Sequence, residues 1–337
     1  MSVAPAAAAV SLAQRVFGTL ADGALHSGER LAAEQAVSRS AIWKAIGALQ
    51  ALGLEIEAAP HLGYRLAQPV APLDATRIVA LLRPEVRARL RQAEVAWTLD
   101  STNAVLLART EPPAGQFDFL AAEYQASGRG RRARPWFAPP GGALCLSLVW
   151  SFDALPAGAA ALSLAVGVCA RRVLERAGAA PVQLKWPNDL YARERKLGGI
   201  LIELRAESAG PAMVVIGIGI NCALGAALTC RVQASGTEPI DLAALGHRTC
   251  NRNQLAARLL DEIVQGVVDF EAHGLSGFAP EWRAADALAD RRVAVSTPAG
   301  TFVGVARGID LDGALRVEGQ GGLRRFNSGE VTVRAQG

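Results

Sequence analysis

The segment from Gln125 to Trp136, QASGRGRRARPW, places four arginines around two glycines and ends on an aromatic residue. Glycine lets backbone N–H groups turn toward an anion, and a guanidinium group offers paired charged donors to phosphate oxygens. The segment is neither a GxxxxGK[ST] P-loop nor a GxGxxG dinucleotide turn, so it indicates neither of the commonest nucleotide-binding folds. It predicts a phosphate-binding loop carried by a different fold. The alternative is a flexible basic surface loop.

Two later segments place polar groups beside apolar strands. In KWPNDLYARERKLGGILIEL, from Lys185 to Leu204, two lysines flank an Asn-Asp pair, and Pro187 fixes a turn that lets these groups converge at a strand end. In VVIGIGINCAL, from Val214 to Leu224, two glycines interrupt a buried-type strand, which often marks the close approach of a ligand or another backbone. The two segments therefore predict a binding site.

The chain from Leu12 to Leu66 predicts a winged helix-turn-helix. Ser27 and Ser38 are typical N-cap residues for two short helices, and Leu54–Ile56 and Tyr64–Leu66 are expected to pair as the wing. The outward face of the second helix, available to phosphates and major-groove base edges, carries Arg39, Ser40, Trp43 and Lys44. The alternative is a helical protein-interaction module.

The remainder predicts an α+β fold with a mixed sheet, followed by a small β barrel. After a linker at Pro69–Pro72, Asp74 is expected to cap a helix that runs through Leu82. The predicted strands are Glu94–Leu99, Phe119–Tyr124, Leu144–Ser151, Gln183–Trp186, Gly199–Leu204 and Val214–Ile220. The predicted helices are Thr102–Arg109, Ala159–Ala177 and Asn253–Ala272. Short turns between residues 183 and 220 favour antiparallel pairing, which argues against a doubly wound sheet.

The domains are predicted at 1–68, 74–285 and 286–337. The last of them is predicted from the strands VAVST, TFVGVARGI, ALRVE and EVTVR.

Composition bounds the class of protein. A chain of 337 residues is long enough for two or three domains. Its longest apolar stretches are interrupted by Gly, Pro, Ser or Asn, and its alanine-rich start lacks a basic n-region, so we expect neither a membrane span nor an export signal. The five cysteines show no CxxC spacing and are expected to be buried thiols in a reducing cytoplasm. The four histidines show no metal-ligand spacing, which argues against a transition-metal site.

The three segments described first, together with Ser101-Thr102-Asn103, resemble the catalytic domain of the biotin protein ligases, whose biotin-binding turn reads STN. The resemblance covers nearly the whole chain, because bifunctional ligases that repress the biotin operon also carry a winged helix-turn-helix and a C-terminal SH3-like β domain. The family's arginine loop usually reads GRGRRGR, followed by a polar or basic residue and Trp. Here Ala133 replaces the last glycine and Pro135 precedes the tryptophan. Because alanine resists positive φ and proline fixes φ, we expect the back half of the loop to be stiffer than in relatives.

The resemblance implies a two-step reaction. ATP, with Mg²⁺, activates biotin to biotinyl-5′-adenylate, and the biotin then passes to a lysine in the acceptor domain of a biotin-dependent carboxylase. The first step brings a carboxylate and a phosphate together, which requires preorganised cations. The resemblance assigns catalysis to Arg131, Lys196, Asp189 and Lys185. Asp189 would either hold the metal ion or orient the lysines.

The resemblance also assigns ligand contacts. The biotin set is Ser101, Thr102, Asn103, Gln125, Arg129, Gly130, Arg131, Lys196 and Gly199. The ATP and adenylate set is Arg129, Arg131, Arg132, Trp136 over the adenine, Lys185, Asn188 and Asn221. For Asn221 the alternative is a turn-capping residue.

The implied partners are operator DNA and the acceptor domain, with a homodimer promoted by the adenylate and the arginine loop ordered by it. Two other hypotheses stay open: a ligase whose N-terminal module only assists catalysis, and a biotin sensor that has lost its chemistry. The retained Arg131, Asp189 and Lys196 argue against the sensor. Lipoate ligases share the catalytic architecture but normally lack the N-terminal module and the KWPND and GRGRR segments, which argues against a change of substrate.

Overall fold

The computed structural model describes residues 10–179, 181–206, 211–234, 236–247, 250–298, 300–327 and 332–335. Its helices are α1 (Leu12–Leu20), α2 (Gly28–Glu34), α3 (Arg39–Ala51), α4 (Ala75–Leu81), α5 (Pro84–Arg87), α6 (Thr102–Leu107), α7 (Leu162–Arg176), α8 (Ala226–Ala234), α9 (Arg252–His273) and α10 (Ala279–Ala284). Its strands are β1 (Ile56–Ala59), β2 (Gly63–Leu66), β3 (Leu90–Leu99), β4 (Phe117–Gln125), β5 (Ala143–Phe152), β6 (Gln183–Lys185), β7 (Asp189–Ala192), β8 (Arg195–Ala206), β9 (Ala212–Asn221), β10 (Arg292–Thr297), β11 (Gly300–Ile309), β12 (Leu315–Gly319), β13 (Gly322–Phe326) and β14 (Thr332–Ala335).

The N-terminal module has the predicted winged helix-turn-helix arrangement. The hydroxyl of Ser27 accepts the N–H of Arg30 and that of Ser38 accepts the N–H of Ala41, so both predicted caps are confirmed. The wing differs from the prediction, because β1 begins at Ile56 and continues to Ala59. A three-residue connection closes the hairpin beyond Ala59, so the pairing extends toward the turn and does not include Leu54.

The central domain is built on a mixed sheet, as predicted. Among the described residues its order is β3-β4-β5-β9-β8-β7-β6, in which β3 and β4 are parallel and every other neighbouring pair is antiparallel. Helices α7 and α9 pack over one face, where Leu146, Ile216 and Ile218 belong to the main core. The opposite face carries Ser147 and Gly217 and is left for α6 and the candidate site.

One hairpin of this sheet was predicted incorrectly. The predicted strand at Gly199–Leu204 begins at Arg195, and β7 was not predicted. Arg193 and Glu194 both adopt left-handed backbone conformations, with φ of 48° and 60°, and form a two-residue turn between β7 and β8. Such turns favour Asn-Gly or Asp-Gly sequences, so a turn made by arginine and glutamate gave no sequence signal.

Helices α5, α8 and α10 were likewise not predicted, while α4 was. The Asp74 carboxylate accepts the N–H of Arg77, which confirms the predicted cap after the linker.

A buried ion pair of the central domain holds the linker in place. Arg252, 1% exposed at its side chain, donates to both carboxylate oxygens of Glu123 at 2.7 and 2.9 Å and to the Ala71 carbonyl at 3.0 Å.

The C-terminal domain is an antiparallel sheet with the order β13-β12-β11-β10-β14 in the described part of the chain. The last predicted strand, EVTVR, corresponds to β14, and its first two residues, Glu330 and Val331, lie outside the described residues. Within the ranges that the structure describes, no helix is long and apolar enough to cross a membrane. The prediction of buried thiols is confirmed for Cys145, Cys169 and Cys222. It is wrong for Cys230, which is exposed because α8 is a surface helix, and Cys250 is half-buried.

Candidate functional site

A cavity of about 600 Å³ lies on the face of the central sheet that α7 and α9 leave open, between the arginine loop, the STN turn and the β6–β9 strands. Every ligand-binding and catalytic residue predicted from the sequence lines it. They are Ser101, Thr102, Asn103, Gln125, Arg129, Gly130, Arg131, Arg132, Trp136, Lys185, Asn188, Asp189, Lys196, Gly199 and Asn221. The structure thus brings these residues together, while their individual roles stay predictions. A second cavity, of about 530 Å³, lies between the N-terminal module and the central domain, and none of the described residues that line it is an arginine or a lysine, so the first cavity is the candidate for binding phosphate.

The STN turn begins α6 and carries a buried polar network. The backbone N–H and the hydroxyl of Thr102 both donate to Gln125 Oε1, at 2.8 and 3.0 Å. The Ser147 hydroxyl lies 2.6 Å from both Thr102 Oγ1 and Asn103 Oδ1, and it can donate to either. These contacts fix the orientation of the polar groups at this end of the cavity before a ligand arrives.

Two hydrogen bonds and one close steric contact fix the Asn103 side chain. Its Nδ2 donates to the Leu201 carbonyl at 3.2 Å and to Glu203 Oε2 at 2.8 Å. A Cβ atom on Gly217 would lie 2.2 Å from Asn103 Oδ1, so only glycine allows the strand to approach this closely. The sequence predicted that a ligand or another backbone would approach this glycine, and in the structure the approaching group is instead the Asn103 side chain.

Sequence reasoning missed Ser147 and Glu203. Both are polar residues in otherwise apolar strands, LCLSLVW and GGILIEL, and that interruption was the available signal. A polar side chain in a buried strand requires a hydrogen-bond partner, and here both partners lie in the STN turn.

The arginine loop is closed by backbone hydrogen bonds across its base. The N–H of Trp136 donates to the Gly128 carbonyl at 2.7 Å, and the N–H of Gly130 donates to the Arg134 carbonyl at 2.8 Å. At the tip, Arg132 and Ala133 have φ of 57° and 54°. Ala133 thus adopts the left-handed conformation that alanine was expected to resist, which strains the back half of the loop.

The loop concentrates positive charge at the cavity. Burial lowers the pKa of the Arg131 guanidinium, Arg132 and Arg134 lower it further, and Asp189 opposes the shift. Arginine stays charged at neutral pH, so the direction of this shift reports an electropositive, partly dehydrated position that favours an anion.

Trp136 packs directly on strand β9. A Cβ atom on Gly219 would lie 2.7 Å from the indole ring, so the second strand glycine also accommodates a side chain and not the predicted ligand or backbone. The Lys196 ammonium is 5.9 Å from the centre of the same ring. The tryptophan therefore connects the end of the arginine loop to the lysine and to the sheet.

The KWPND hairpin supplies a lysine–carboxylate pair. Lys196 Nζ lies 2.7 Å from Asp189 Oδ1, with both side chains about one quarter exposed. Lys185 Nζ donates to the Tyr191 hydroxyl at 3.1 Å, and burial, reinforced by Asp189, raises the pKa of that phenol. Tyr191 was not predicted and lies in the strand that the sequence analysis missed.

The two predicted asparagines have structural contacts. Asn188 Nδ2 donates to the Ile200 carbonyl at 2.5 Å, which fixes the hairpin. Asn221 is buried, and its Nδ2 donates to the carbonyls of Lys196 and Ile240 at 3.2 and 3.0 Å. These bonds favour the alternative in which Asn221 fixes the local backbone. Its contact with a ribose or base stays a prediction.

The predicted DNA-binding residues form an exposed face of α3. Trp43 is 68% exposed, and Arg39, Ser40 and Lys44 are exposed beside it. Arg39 pairs with Glu29 across 3.0 Å, and both side chains are about three quarters exposed, so the pair does not bury the guanidinium. The face is accessible to a partner.

In the described part of the chain, contacts between this module and the central domain include a pair of aromatic rings and a hydrogen bond. The rings of Phe17 and Trp97 lie 5.1 Å apart, and Trp97 packs against the core of the module. The Glu55 carboxylate accepts the N–H of Ala226, the first residue of α8, at 3.0 Å. Farther along α8, Arg231 lies over the ring of Phe137, which follows Trp136 in the chain. The module thus contacts a helix that borders the cavity.

Comparison with known proteins finds matches to three family models. The Biotin/lipoate A/B protein ligase family matches residues 97–221, an HTH domain matches residues 19–65, and the Biotin protein ligase C terminal domain matches residues 290–334. Together they follow the order of the three structural units.

Curated relatives match along nearly their whole length. The bifunctional ligase/repressor BirA of Salmonella typhimurium is 40% identical over 325 residues, which cover 95% of this chain and 97% of the relative. The Escherichia coli K12 protein of the same description is 38% identical over 324 residues, with the same coverage. Among solved structures, the biotin protein ligase from Aquifex aeolicus in complex with biotin and ATP has a TM-score of 0.60 and 23% identity, covering 74% of this chain and 99% of that one, and it shows a likeness of fold.

Proposed function

The chain belongs to the family of bifunctional biotin protein ligases and repressors, and from this premise we propose that it activates biotin with ATP and transfers it to a lysine of an acceptor protein. One observation carries the proposal: the STN turn, the arginine loop and the Lys196–Asp189 pair, distant in sequence, line one cavity.

In the first step the biotin carboxylate attacks the α-phosphorus of ATP. A carboxylate–phosphorus bond forms, the bond to the bridging oxygen breaks, and pyrophosphate leaves. Negative charge builds on the α-phosphoryl oxygens, so cations fixed in advance lower the barrier. We assign this role to Lys196 and Arg131, and contact with the other phosphates to Lys185.

In the second step the amine of the acceptor lysine attacks the acyl carbon of the adenylate. The amide bond forms, AMP leaves as a stable anion, and the amine releases its proton. The mixed anhydride is reactive toward water, so it must be shielded until the acceptor arrives. The arginine loop is suited to this, and we propose that it orders over the adenylate.

Magnesium enters with ATP as part of the substrate. The residues of the cavity do not favour an ion held by the protein itself, because Asp189 Oδ1 is already paired with Lys196. Within the described residues no group of three histidine, cysteine, aspartate or glutamate side chains is arranged to hold a metal, which does not argue against magnesium because this ion needs few protein carboxylates. We therefore assign to Asp189 the orientation of Lys196.

The exposed face of α3 supports a second activity, the binding of operator DNA. Operators with two half-sites are bound by two linked modules, so we propose that the adenylate promotes a homodimer that positions two winged helices. By linkage, a ligand that favours the dimer is itself bound more tightly by it. A cytoplasmic location is part of the proposal, since the reaction consumes ATP.

A second candidate function is a ligase whose N-terminal module only assists catalysis. The contact between Glu55 and the start of α8 favours it, because this bond lets the module stabilise a helix that borders the cavity. The two functions differ in whether the module binds operator DNA, so a measurement of DNA binding decides between them.

Incubation of the purified protein with MgATP, radiolabelled biotin and an acceptor domain tests the ligase activity. We expect labelled adenylate and label on the acceptor, with none on an acceptor whose target lysine is replaced by arginine. Absence of both products would overturn the proposal. Adenylate without transfer would restrict the protein to activation.

A further inference from the structure

Glu203 lies just outside the cavity and contacts two residues that line it. Its Oε2 accepts a hydrogen bond from Asn103 Nδ2 at 2.8 Å, and its Oε1 accepts one from Arg129 Nη2, also at 2.8 Å. The Glu203 side chain is 24% exposed and that of Arg129 is 40% exposed. Each carboxylate oxygen therefore has its own charged or polar partner, one in the STN turn and one in the arginine loop.

We propose that Glu203 is a positioning residue that ties the arginine loop to the STN turn and thereby holds the loop over the cavity. The inference rests on the proposed ligase function for its consequences. Its geometry is independent of that function.

The STN end of this link is rigid. Both Nδ2 hydrogens of Asn103 are used, by Glu203 and by the Leu201 carbonyl, and Oδ1 lies 2.6 Å from the Ser147 hydroxyl. The close approach of Gly217 leaves the side chain no space to turn. Asn103 thus acts as a fixed anchor for the carboxylate and presents Glu203 Oε1 at a defined point.

The loop end of the link controls both arms of the loop. Arg129 forms an antiparallel bridge with Pro135, and the neighbouring Gly130 N–H is bonded to the Arg134 carbonyl. When Glu203 holds Arg129, the opposite arm is held with it. Arg131 lies between the two arms, so its position then depends on Glu203, which is 74 residues from Arg129 in the chain.

Charge explains why the loop needs this link. The segment from Arg129 to Arg134 contains four arginines, and Arg132 and Arg134 both lower the pKa of Arg131. Like charges at this density favour an open loop in the absence of an anion. A single part-exposed carboxylate offsets one of the four charges, and a charge-assisted bond of this kind shifts the balance between open and closed loops by roughly fivefold to tenfold.

Glutamine cannot replace Glu203 in this role. The carboxylate accepts from two donors, whereas a glutamine amide has one accepting oxygen and presents its own N–H groups to the other donor. The variant Glu203→Gln therefore loses at least one end of the link at nearly constant volume. Arg129→Gln breaks the same link from the other end and leaves Asn103 untouched.

For the reaction, the link sets how long the adenylate is retained. The activating lysine, Lys196, has its own partner in Asp189 and does not contact Glu203 in the described hydrogen bonds and ion pairs. Loss of the link should therefore affect adenylate retention more than adenylate formation. A purely structural role for Glu203 would lower overall stability and affect both steps together.

The test compares the parent with Glu203→Gln, Arg129→Gln and the double variant, and uses Glu94→Gln as control, since Glu94 is a half-exposed carboxylate paired with Arg109 at 2.6 Å. Hydrogen exchange of residues 128–136 in the ligand-free proteins should accelerate roughly fivefold to tenfold in Glu203→Gln and in Arg129→Gln. It should accelerate no further in the double variant, because the two substitutions remove the same bond. The first-order loss of preformed adenylate, without acceptor, should rise by a similar factor in Glu203→Gln, whose replaced residue lies outside both predicted ligand sets. Unchanged exchange in Glu203→Gln, or additive effects in the double variant, would overturn the proposal. A parent that forms no adenylate would instead refute the ligase function, while the exchange experiment would still decide the role of Glu203.

Discussion

Lys196 Nζ lies 2.7 Å from Asp189 Oδ1 at the candidate cavity, and the two residues come from the paired strands β8 and β7. Lysine has a long, flexible side chain, so an ammonium held by a neighbouring carboxylate has lost much of its freedom before any substrate binds. This arrangement meets the requirement for an oriented cation beside developing negative charge. It is the geometric basis for assigning activation to this pair.

The buried ion pair between Arg252 and Glu123 should dominate the stability of the linker region. Replacement Arg252→Met leaves a carboxylate that is buried and without its cation, and it removes the bond to the Ala71 carbonyl. We expect the free energy of unfolding, measured by urea denaturation, to fall by about 3–5 kcal/mol. The exposed pair of Arg30 and Glu34 provides the control, since Arg30→Met should cost at most about 1 kcal/mol. Equal losses in the two variants would contradict this account.

Ala133 should be a site where glycine is tolerated or stabilising. Its φ of 54° costs about 1–2 kcal/mol for an L-residue, and Ala133→Gly removes that strain. The gain is reduced by about 0.4–1 kcal/mol because glycine adds freedom to the unfolded chain. We expect a small net increase in thermal stability. In Ala48→Gly, in the exposed interior of α3, the same replacement should instead cost about 1 kcal/mol. A loss in Ala133→Gly as large as in Ala48→Gly would show that the loop adopts another conformation.

Asp286 should make stability depend on pH. Burial raises the pKa of this carboxyl from 3.8 to about 6, against a hydrogen bond from the Leu288 N–H and together with the nearby Asp290. Between about pH 4 and 6 the carboxyl is therefore protonated in the folded chain and ionised in the unfolded chain. The free energy of unfolding falls as the pH rises through this range.

The variant Asp286→Asn removes this titration. Relative to the variant, the parent should lose on the order of 2–3 kcal/mol of unfolding free energy between pH 4 and 7. Urea denaturation at several pH values measures the difference, and Asp153→Asn, at an exposed aspartate, serves as control. A pH-independent difference between the parent and Asp286→Asn would refute the assignment.

The exposed face of α3 should carry DNA binding without affecting ligation. Arg39→Ala and Lys44→Ala should each weaken binding to the control region of the biotin operon and reduce the salt dependence by about one phosphate contact. Biotin transfer should be unchanged. Gel-shift titrations at several salt concentrations, with and without biotin and ATP, measure the effect, and Arg77→Ala on α4 is the control. If the parent transfers biotin but shows no adenylate-dependent DNA binding, the function in which the module only assists catalysis is favoured.

The sequence predicted the features that depend on local chemistry. The capping residues Ser27, Ser38 and Asp74 were recognised because a cap acts on backbone groups three positions away. Gly217 and Gly219 indicated a close approach because a missing Cβ has few other uses in a buried strand, but the approaching groups are the side chains of Asn103 and Trp136, which the sequence did not predict.

Contacts between distant segments could not be predicted in this way. Glu203 bonds to Arg129 and Asn103, which are 74 and 100 positions away, and nothing in its local sequence specifies either partner. The turn at Arg193 and Glu194 was missed for a different reason, because tertiary pairing of β7 and β8 overrides the unfavourable backbone preference of these residues.

Biotin-dependent exchange of radiolabelled pyrophosphate into ATP tests the central claim most directly, because it reports activation without an acceptor or DNA. The account predicts exchange in the parent, a decrease of roughly 10²–10³ in Lys196→Ala and in Arg131→Ala, and parental exchange in Lys44→Ala, in which an exposed lysine of the N-terminal module is removed. Circular dichroism and thermal unfolding would establish that the variants are folded. Exchange at the parental rate in folded Lys196→Ala would contradict the assignment of activation to the Lys196–Asp189 pair.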